Sequence, residues 1–253
     1  MHIPSAVLID HGHEDLQRKL RSGGKFAADL AKEHGEDVAT WNLFRALARL
    51  DPDSWVPPMF EAAGVRAPSV ASHVGVRARF WRPLKPSAGR LRWLRENVGA
   101  HGVKPHQNPH AAMESATQVD VHLEHPDYHV LIEVKRAADI DGKIEYQDGY
   151  DQLARQLDVA EALESSTVPP RPTYVWLLAV SPSLQKRGVE RREAYREPAR
   201  IREVCRHFTV DQAERRAARL GLLWWKDAAA TLATLSQDLA TVSTWLTRQG
   251  LAG

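Results

Sequence analysis

The chain has 253 residues, with 34 Lys and Arg against 32 Asp and Glu, for a formal charge of +2. That length and a 43% hydrophobic content allow one elaborated domain or two small ones, and so near a charge balance identifies no class of partner by itself. The single cysteine, Cys205, excludes an internal disulfide and a zinc site built from cysteines, and a lone thiol fits a reducing compartment.

The opening "MHIPSAVLIDHGHEDL" lacks the basic start and long apolar core of a signal peptide. No stretch approaches the roughly 20 apolar residues of a membrane span, so the expectation is a soluble, cytoplasmic protein. Residues 14–50 read as helical, with Phe26, Leu30, Val38, Leu43, Phe44 and Leu47 at three- and four-residue spacing. Gly35 divides this region into two helices, the second opening at Glu36-Asp37, where acids suit a helix N-terminus. "DPDSWVPP" is expected to end it. "SGGKF" at 22–26 lacks the spacing of a phosphate-binding loop. Neither His11 and His13 nor His101, His106 and His110 match a common zinc pattern.

Between Ala62 and Arg95 stand eight Lys or Arg and no Asp or Glu. Arg77, Arg79, Arg82, Lys85, Arg90 and Arg92 are therefore candidates for phosphate contacts, with Phe80, Trp81 or Trp93 as stacking platforms for bases. The competing reading is a solvated loop with core tryptophans.

"TQVDVHLEHPDYHVLIEVKRA", residues 117–137, reads as two strands joined by a turn at Pro126-Asp127. Opposite residues then sum to 253. Val119 faces Val134, Val121 faces Ile132 and Leu123 faces Val130, an aliphatic face that belongs in a core. The other face sets Asp120 opposite Glu133, with Lys135 two residues further along. Two carboxylates opposed in this way repel, and a divalent cation between them turns that cost into a binding site. Oxygen ligands favour Mg²⁺, which polarises phosphodiesters and activates water, while a neighbouring lysine orients the water and offsets phosphate charge.

"KIEYQDGYDQLARQLDVAEALES" follows as a helix with an apolar stripe of Tyr146, Tyr150, Leu153, Leu157 and Ala160. "TYVWLLAV", 173–180, reads as a buried strand, which completes a strand–helix–strand crossover. Charged helices are expected over 186–206 and 210–219, a strand at "GLLWWK" and a final amphipathic helix over 228–249. The Trp224-Trp225 pair reads as core, and Cys205 shows no activating partner.

Asp120, twelve intervening residues and "EVK" at 133–135 on a hairpin resemble the PD-(D/E)xK nuclease superfamily, whose fold is restriction-endonuclease-like. Val119 stands where that family often has proline, and the resemblance covers roughly residues 110–180. It implies an α/β protein with a mixed central β-sheet flanked by helices and with helical additions at both ends. Residues 1–100 would be a helical region with the basic segment and 101–253 the nuclease core, or the two one continuous domain. It also implies metal-dependent hydrolysis of DNA, with Mg²⁺ (or Mn²⁺) on Asp120, Glu133 and the Val134 carbonyl, and with Lys135 on the water. A further acid is expected from Glu36 or Glu114, and Gln152 and Arg155 on the following helix would lie near the site and the nucleic acid. A homodimer, and a role in defence against foreign DNA or in repair, follow by analogy alone. The alternatives are a non-catalytic nucleic-acid-binding protein on the same fold and an RNase with the same site.

Overall fold

The aliphatic hairpin forms the middle of a five-stranded sheet. The computed structural model describes residues 6–23, 30, 32, 35–97, 116–140, 143–144, 147–148, 150–235 and 239–252. In chain order the elements are α1 (Glu14–Ser22), α2 (Glu36–Leu47), α3 (Pro52–Ala62), β1 (Arg77–Leu84), α4 (Ala88–Asn97), β2 (Thr117–Glu124) and β3 (His129–Val134). They continue with β4 (Lys143–Ile144), β5 (Gln147–Asp148), α5 (Gln152–Ser165), β6 (Thr173–Ala179), α6 (Lys186–Ala194), α7 (Pro198–Val204) and α8 (Val210–Ala218). β7 (Leu220–Trp224), α9 (Trp225–Leu235) and α10 (Ala240–Arg248) complete the order.

The main sheet runs β1-β2-β3-β6-β7, while β4 and β5 form a separate small ladder. β1, β2 and β3 are antiparallel neighbours; β3–β6 and β6–β7 are parallel. The protein is thus α/β with a mixed sheet flanked by helices. Among the described residues no helix is long and apolar enough to cross a membrane.

Each face of the sheet carries its own core. On one side Leu16, Trp41, Phe44, Trp55, Phe60, Trp225, Leu232 and Leu246 pack with Val121, Val130, Ile132, Val134 and Trp176. On the other, Leu153, Leu157 and Ala160 of α5, with Ile201 and Ala213, cover Leu131, Val175 and Leu177. The first cluster runs from Ala6 to Leu251, so helices from both ends of the chain close one core.

Several elements differ from the sequence expectation. "DPDSWVPP" ends α2 but also begins α3: Asp51 accepts the Asp53 N–H as N-cap, and Pro52 occupies the first turn, where its missing N–H costs nothing. Pro57 and Pro58 lie inside α3, held by burial of Trp55, Val56, Met59 and Phe60. Part of the basic segment is the edge strand β1. The helix expected to begin near 143 begins only at Gln152, where the Asp151 side chain accepts the Ala154 N–H; Tyr146 lies outside the described residues. The helix expected over 186–206 divides before Pro198, and that expected over 228–249 is two helices, α9 and α10.

β6 and β7 approach through a glycine. A Cβ on Gly221 would stand 2.6 Å from Trp176 Cδ1 and 3.0 Å from the Ala63 Cβ. Gly221→Ala is expected to cost about 1–3 kcal/mol, read as a fall of about 2–4 °C in Tm for each kcal/mol. An unchanged melt would show that β7 can move away from Trp176.

Candidate active site

The hairpin turns as the sequence predicts. The His125 N–H donates to the Tyr128 carbonyl at 3.0 Å, and the pairs Val121–Ile132, His122–Leu131, Leu123–Val130 and Glu124–His129 all keep the sum of 253. The β2–β3 ladder stops there, one residue short of Asp120 and Glu133. On the other edge of β2, Phe80 pairs with Val121 and Arg82 with Val119, and the intervening Trp81 and Asp120 are skipped.

Trp81 has φ +50°, the left-handed region that a bulky residue rarely enters. Its ring stacks on Trp41 with centroids 5.7 Å apart, and its Nε1 donates to Asp37 at 2.6 Å. The interruption reverses the side-chain phase of both strands. Val121 and Phe80 belong to the first core, whereas Val119 and Leu84 pack into the second. The expected aliphatic face therefore holds for five of its six residues, and Val119 leaves it.

Freed from the ladder, Asp120 accepts the Val134 N–H on Oδ2 at 2.8 Å. Glu133 is buried: its Oε1 lies 2.8 Å from Lys135 Nζ, and its Oε2 accepts from Gln156 Nε2 at 2.8 Å. Glu36, the first residue of α2, reaches in from the other side of the sheet. Its Oε1 is 3.9 Å from Lys135 Nζ, and its Oε2 accepts the Arg136 N–H at 2.8 Å. Asp120, Glu133 and Lys135 line a pocket of about 240 Å³ with Thr117, Gln118, Gln152, Arg155 and Gln156. The buried Nε of Arg155 has no hydrogen-bond partner among the described residues.

Asp120, Glu133, Lys135, Gln152 and Arg155 thus line one pocket, and Glu36, one of the two acids weighed, reaches Lys135 beside it. Glu114 lies outside the described residues, as do His101, His106 and His110. Gln156 is the residue that sequence reasoning missed. It stands one turn after Gln152 on the same helix face, in "DQLARQL", and only the true helix start at Gln152 shows which glutamine meets Glu133.

The basic candidates separate. Arg77, Lys85 and Arg92 are exposed, and Arg79 and Arg82 are half-buried. Arg90 is wholly buried, its guanidinium 3.7 Å from the Tyr150 ring centroid, so it cannot face a nucleic acid. Phe80 and Trp81 are core residues rather than stacking platforms, because β1 is a strand with its apolar side turned inward. His13 caps α1 through Nδ1, and Cys205 is buried with Sγ 3.7 Å from the Ala154 carbonyl.

Three carboxylates share one ammonium. Burial, and then the charge of Glu133, pushes the Asp120 carboxyl well above its usual range, against the pull of Lys135 and the Val134 N–H. Burial also raises Glu36 despite Lys135. Burial opposes the charge on Lys135, but Glu133, Asp120 and Glu36 outweigh it and hold the ammonium protonated. No group of three or more His, Cys, Asp or Glu among the described residues is arranged to hold a metal ion as it stands, and both Glu133 oxygens are engaged by Lys135 and Gln156. The donor set nonetheless fits a hard divalent cation in kind: two adjacent carboxylates whose mutual repulsion is only partly offset.

The raised Asp120 gives a stability signature. A group whose folded pKa exceeds its unfolded value favours the fold while protonated and loses that contribution as pH rises through the folded pKa. In EDTA at pH 8, Asp120→Asn is expected to be more stable than wild type by about 1 kcal/mol, or about 2–4 °C in Tm. The gain should shrink on acidification toward about pH 4. A variant less stable than wild type at pH 8 would mean that the attraction to Lys135 exceeds the repulsion.

Compared with known proteins, the chain matches no family model, no curated protein and no solved structure.

Proposed function

We propose that the chain is a metal-dependent nuclease that hydrolyses phosphodiester bonds in DNA, with the residue plan of the PD-(D/E)xK superfamily on a restriction-endonuclease-like core. The observation that carries this reading is the convergence of Asp120, Glu133 and Lys135 in one polar pocket where the hairpin ladder ends.

Asp120 and Glu133 would hold Mg²⁺ or Mn²⁺, aided by the Val134 carbonyl, which points to the same side of the strand as the N–H that Asp120 accepts. When bound, such an ion supplies polarisation of the phosphoryl oxygen and a lowered pKa for water. Lys135, held as an ammonium, donates to the attacking water and to the charge that grows on the phosphate rather than serving as a base. Glu36 is the acid that remains close to Lys135 and the one suited to receive the water proton. Arg155 lines the pocket and would bring positive charge toward a phosphate there. One P–O bond forms from water, one P–O bond to a sugar oxygen breaks, and that oxygen takes a proton.

The test uses purified protein with supercoiled plasmid, linear duplex, single-stranded DNA and RNA, in Mg²⁺, in Mn²⁺ and in EDTA. Cleavage of DNA with either cation and none in EDTA is the expected result. Cutting of RNA alone would make the protein an RNase. Tight binding with no cutting would favour a non-catalytic binding protein, a reading supported by the full engagement of both Glu133 oxygens.

A further inference from the structure

A second concavity lies along the β1 edge of the sheet. It measures about 900 Å³ and is lined by Arg18, Arg77, Arg79, Arg82 and Arg171 against Glu14, Asp15 and Glu124. Two of these arginines come from outside the basic segment: Arg18 from α1 and Arg171 from the loop before β6. The groove adjoins the catalytic pocket through the sheet register. Pro83 on the groove wall pairs with Gln118 on the pocket wall, and Arg82 pairs with Val119, next to Asp120.

Arg18, Arg79 and Arg82 are held in place by side-chain or backbone partners. Arg82 donates to Nδ1 of the fully buried His122 at 3.2 Å, and His122 passes the chain on to His129 Nδ1 at 3.1 Å. Both histidine rings are buried. In that contact His122 Nδ1 is the acceptor, because a guanidinium only donates. Glu124 reaches Arg82 at 3.6 Å and Arg79 at 4.0 Å, and Glu14 also pairs with Arg79. At Phe80 the edge backbone is already engaged: Asp15 accepts its N–H at 3.1 Å and Arg18 donates to its carbonyl at 2.7 Å. An added strand cannot pair with Phe80, and what the groove offers is mainly side-chain cations.

We propose that this groove is a binding track for the sugar–phosphate backbone of a nucleic-acid duplex on one side of the bond to be cut. The proposal rests on the nuclease reading for its substrate. Among the described residues no Phe, Tyr or Trp lines the groove, in contrast to the stacking platforms that single-strand binders use. Guanidinium groups fixed by His122, Glu124 and Glu14 suit phosphate oxygens, and they carry no base readout. From Asp120 to Glu124 is four residues of β2, about 13 Å, or about four base-pair rises of a duplex. The track thus engages phosphates several steps from the scissile bond, which makes the contact with substrate one-sided.

The experiment is fluorescence anisotropy in EDTA, with a labelled duplex two helical turns long, the same sequence as a single strand, and a duplex of scrambled sequence. The proteins are wild type, Arg77→Ala/Arg171→Ala and, as a control, Arg92→Ala, which is exposed but off the groove. The duplex should bind more tightly than the single strand, and equally for both sequences. The double variant should lose about one unit of the salt-dependence slope per arginine, with its thermal melt unchanged. The proposal is overturned if the slope is unchanged, if Arg92→Ala loses as much, or if the single strand binds more tightly. Its failure is separable from that of the nuclease reading. Slope loss in a protein that cuts nothing keeps the groove and removes the nuclease. Lys135-dependent cutting with unchanged groove variants keeps the nuclease and removes the groove.

Discussion

Lys135→Ala is expected to lower metal-dependent DNA cleavage by about 10²–10⁴-fold. The loss should fall on kcat, because the ammonium acts on charge that appears only as the phosphate is attacked. The substitution has a structural cost as well. It leaves Asp120, Glu133 and Glu36 together without the cation that holds them. Lys135→Ala alone should therefore melt below wild type, and Lys135→Ala/Asp120→Asn should recover stability without recovering cleavage. Plasmid nicking read beside thermal melts separates the two effects. If Lys135→Ala keeps full activity in a clean preparation, the proposed chemistry is wrong, whatever its melt.

The largest stability loss is expected at Arg216, far from the pocket. Its side chain is fully buried between α8 and the start of β6. It donates to the Thr173 carbonyl at 2.9 Å, pairs closely with Glu164, and lies 3.3 Å from Glu161 as an ion pair without hydrogen-bond alignment. Burial works against its charge, and the two glutamates offset that cost. Removing one member of such a pair strands the other, so Arg216→Ala should cost about 3–5 kcal/mol, or at least about 6 °C in Tm. Arg219 also contacts Glu164 at 2.8 Å and softens the loss. A fall below about 2 °C would mean that Arg215 and Arg219 compensate almost fully.

The hairpin and its register were legible because they rest on short-range rules: alternation, a Pro-Asp turn and the length of the loop. That Asp120, Glu133 and Lys135 lie near one another followed from that register, although the ladder itself ends one residue short of Asp120 and Glu133. What happens at Asp120 did not. The phase reversal depends on Trp81 at positive φ, and nothing in "RARFWRPL" announces a residue that stacks on Trp41 and bonds Asp37, 40 and 44 positions away in the chain. β1 escaped notice because its outward positions are arginines and a proline, which read as loop when the buried Ala78 and Phe80 are not known to face a core. Glu36 could be named as a candidate but not chosen, since its approach to Lys135 depends on how α2 packs across the sheet. α3 was hidden by Pro57 and Pro58, whose helix-breaking tendency is overridden by burial on the same turn.

The shared core has a consequence for the order of events during synthesis. Glu36 rides on α2, whose buried face is covered in part by Trp225, Leu232 and Leu246. The ribosome makes those residues long after Glu36, Asp120 and Lys135 have left it. A nascent chain carries every acid and the lysine of the proposed site without the packing that sets Glu36 beside Lys135. Cutting competence would then arrive as one late event rather than growing with chain length, and the unfinished polypeptide would be harmless to the nucleic acid around it.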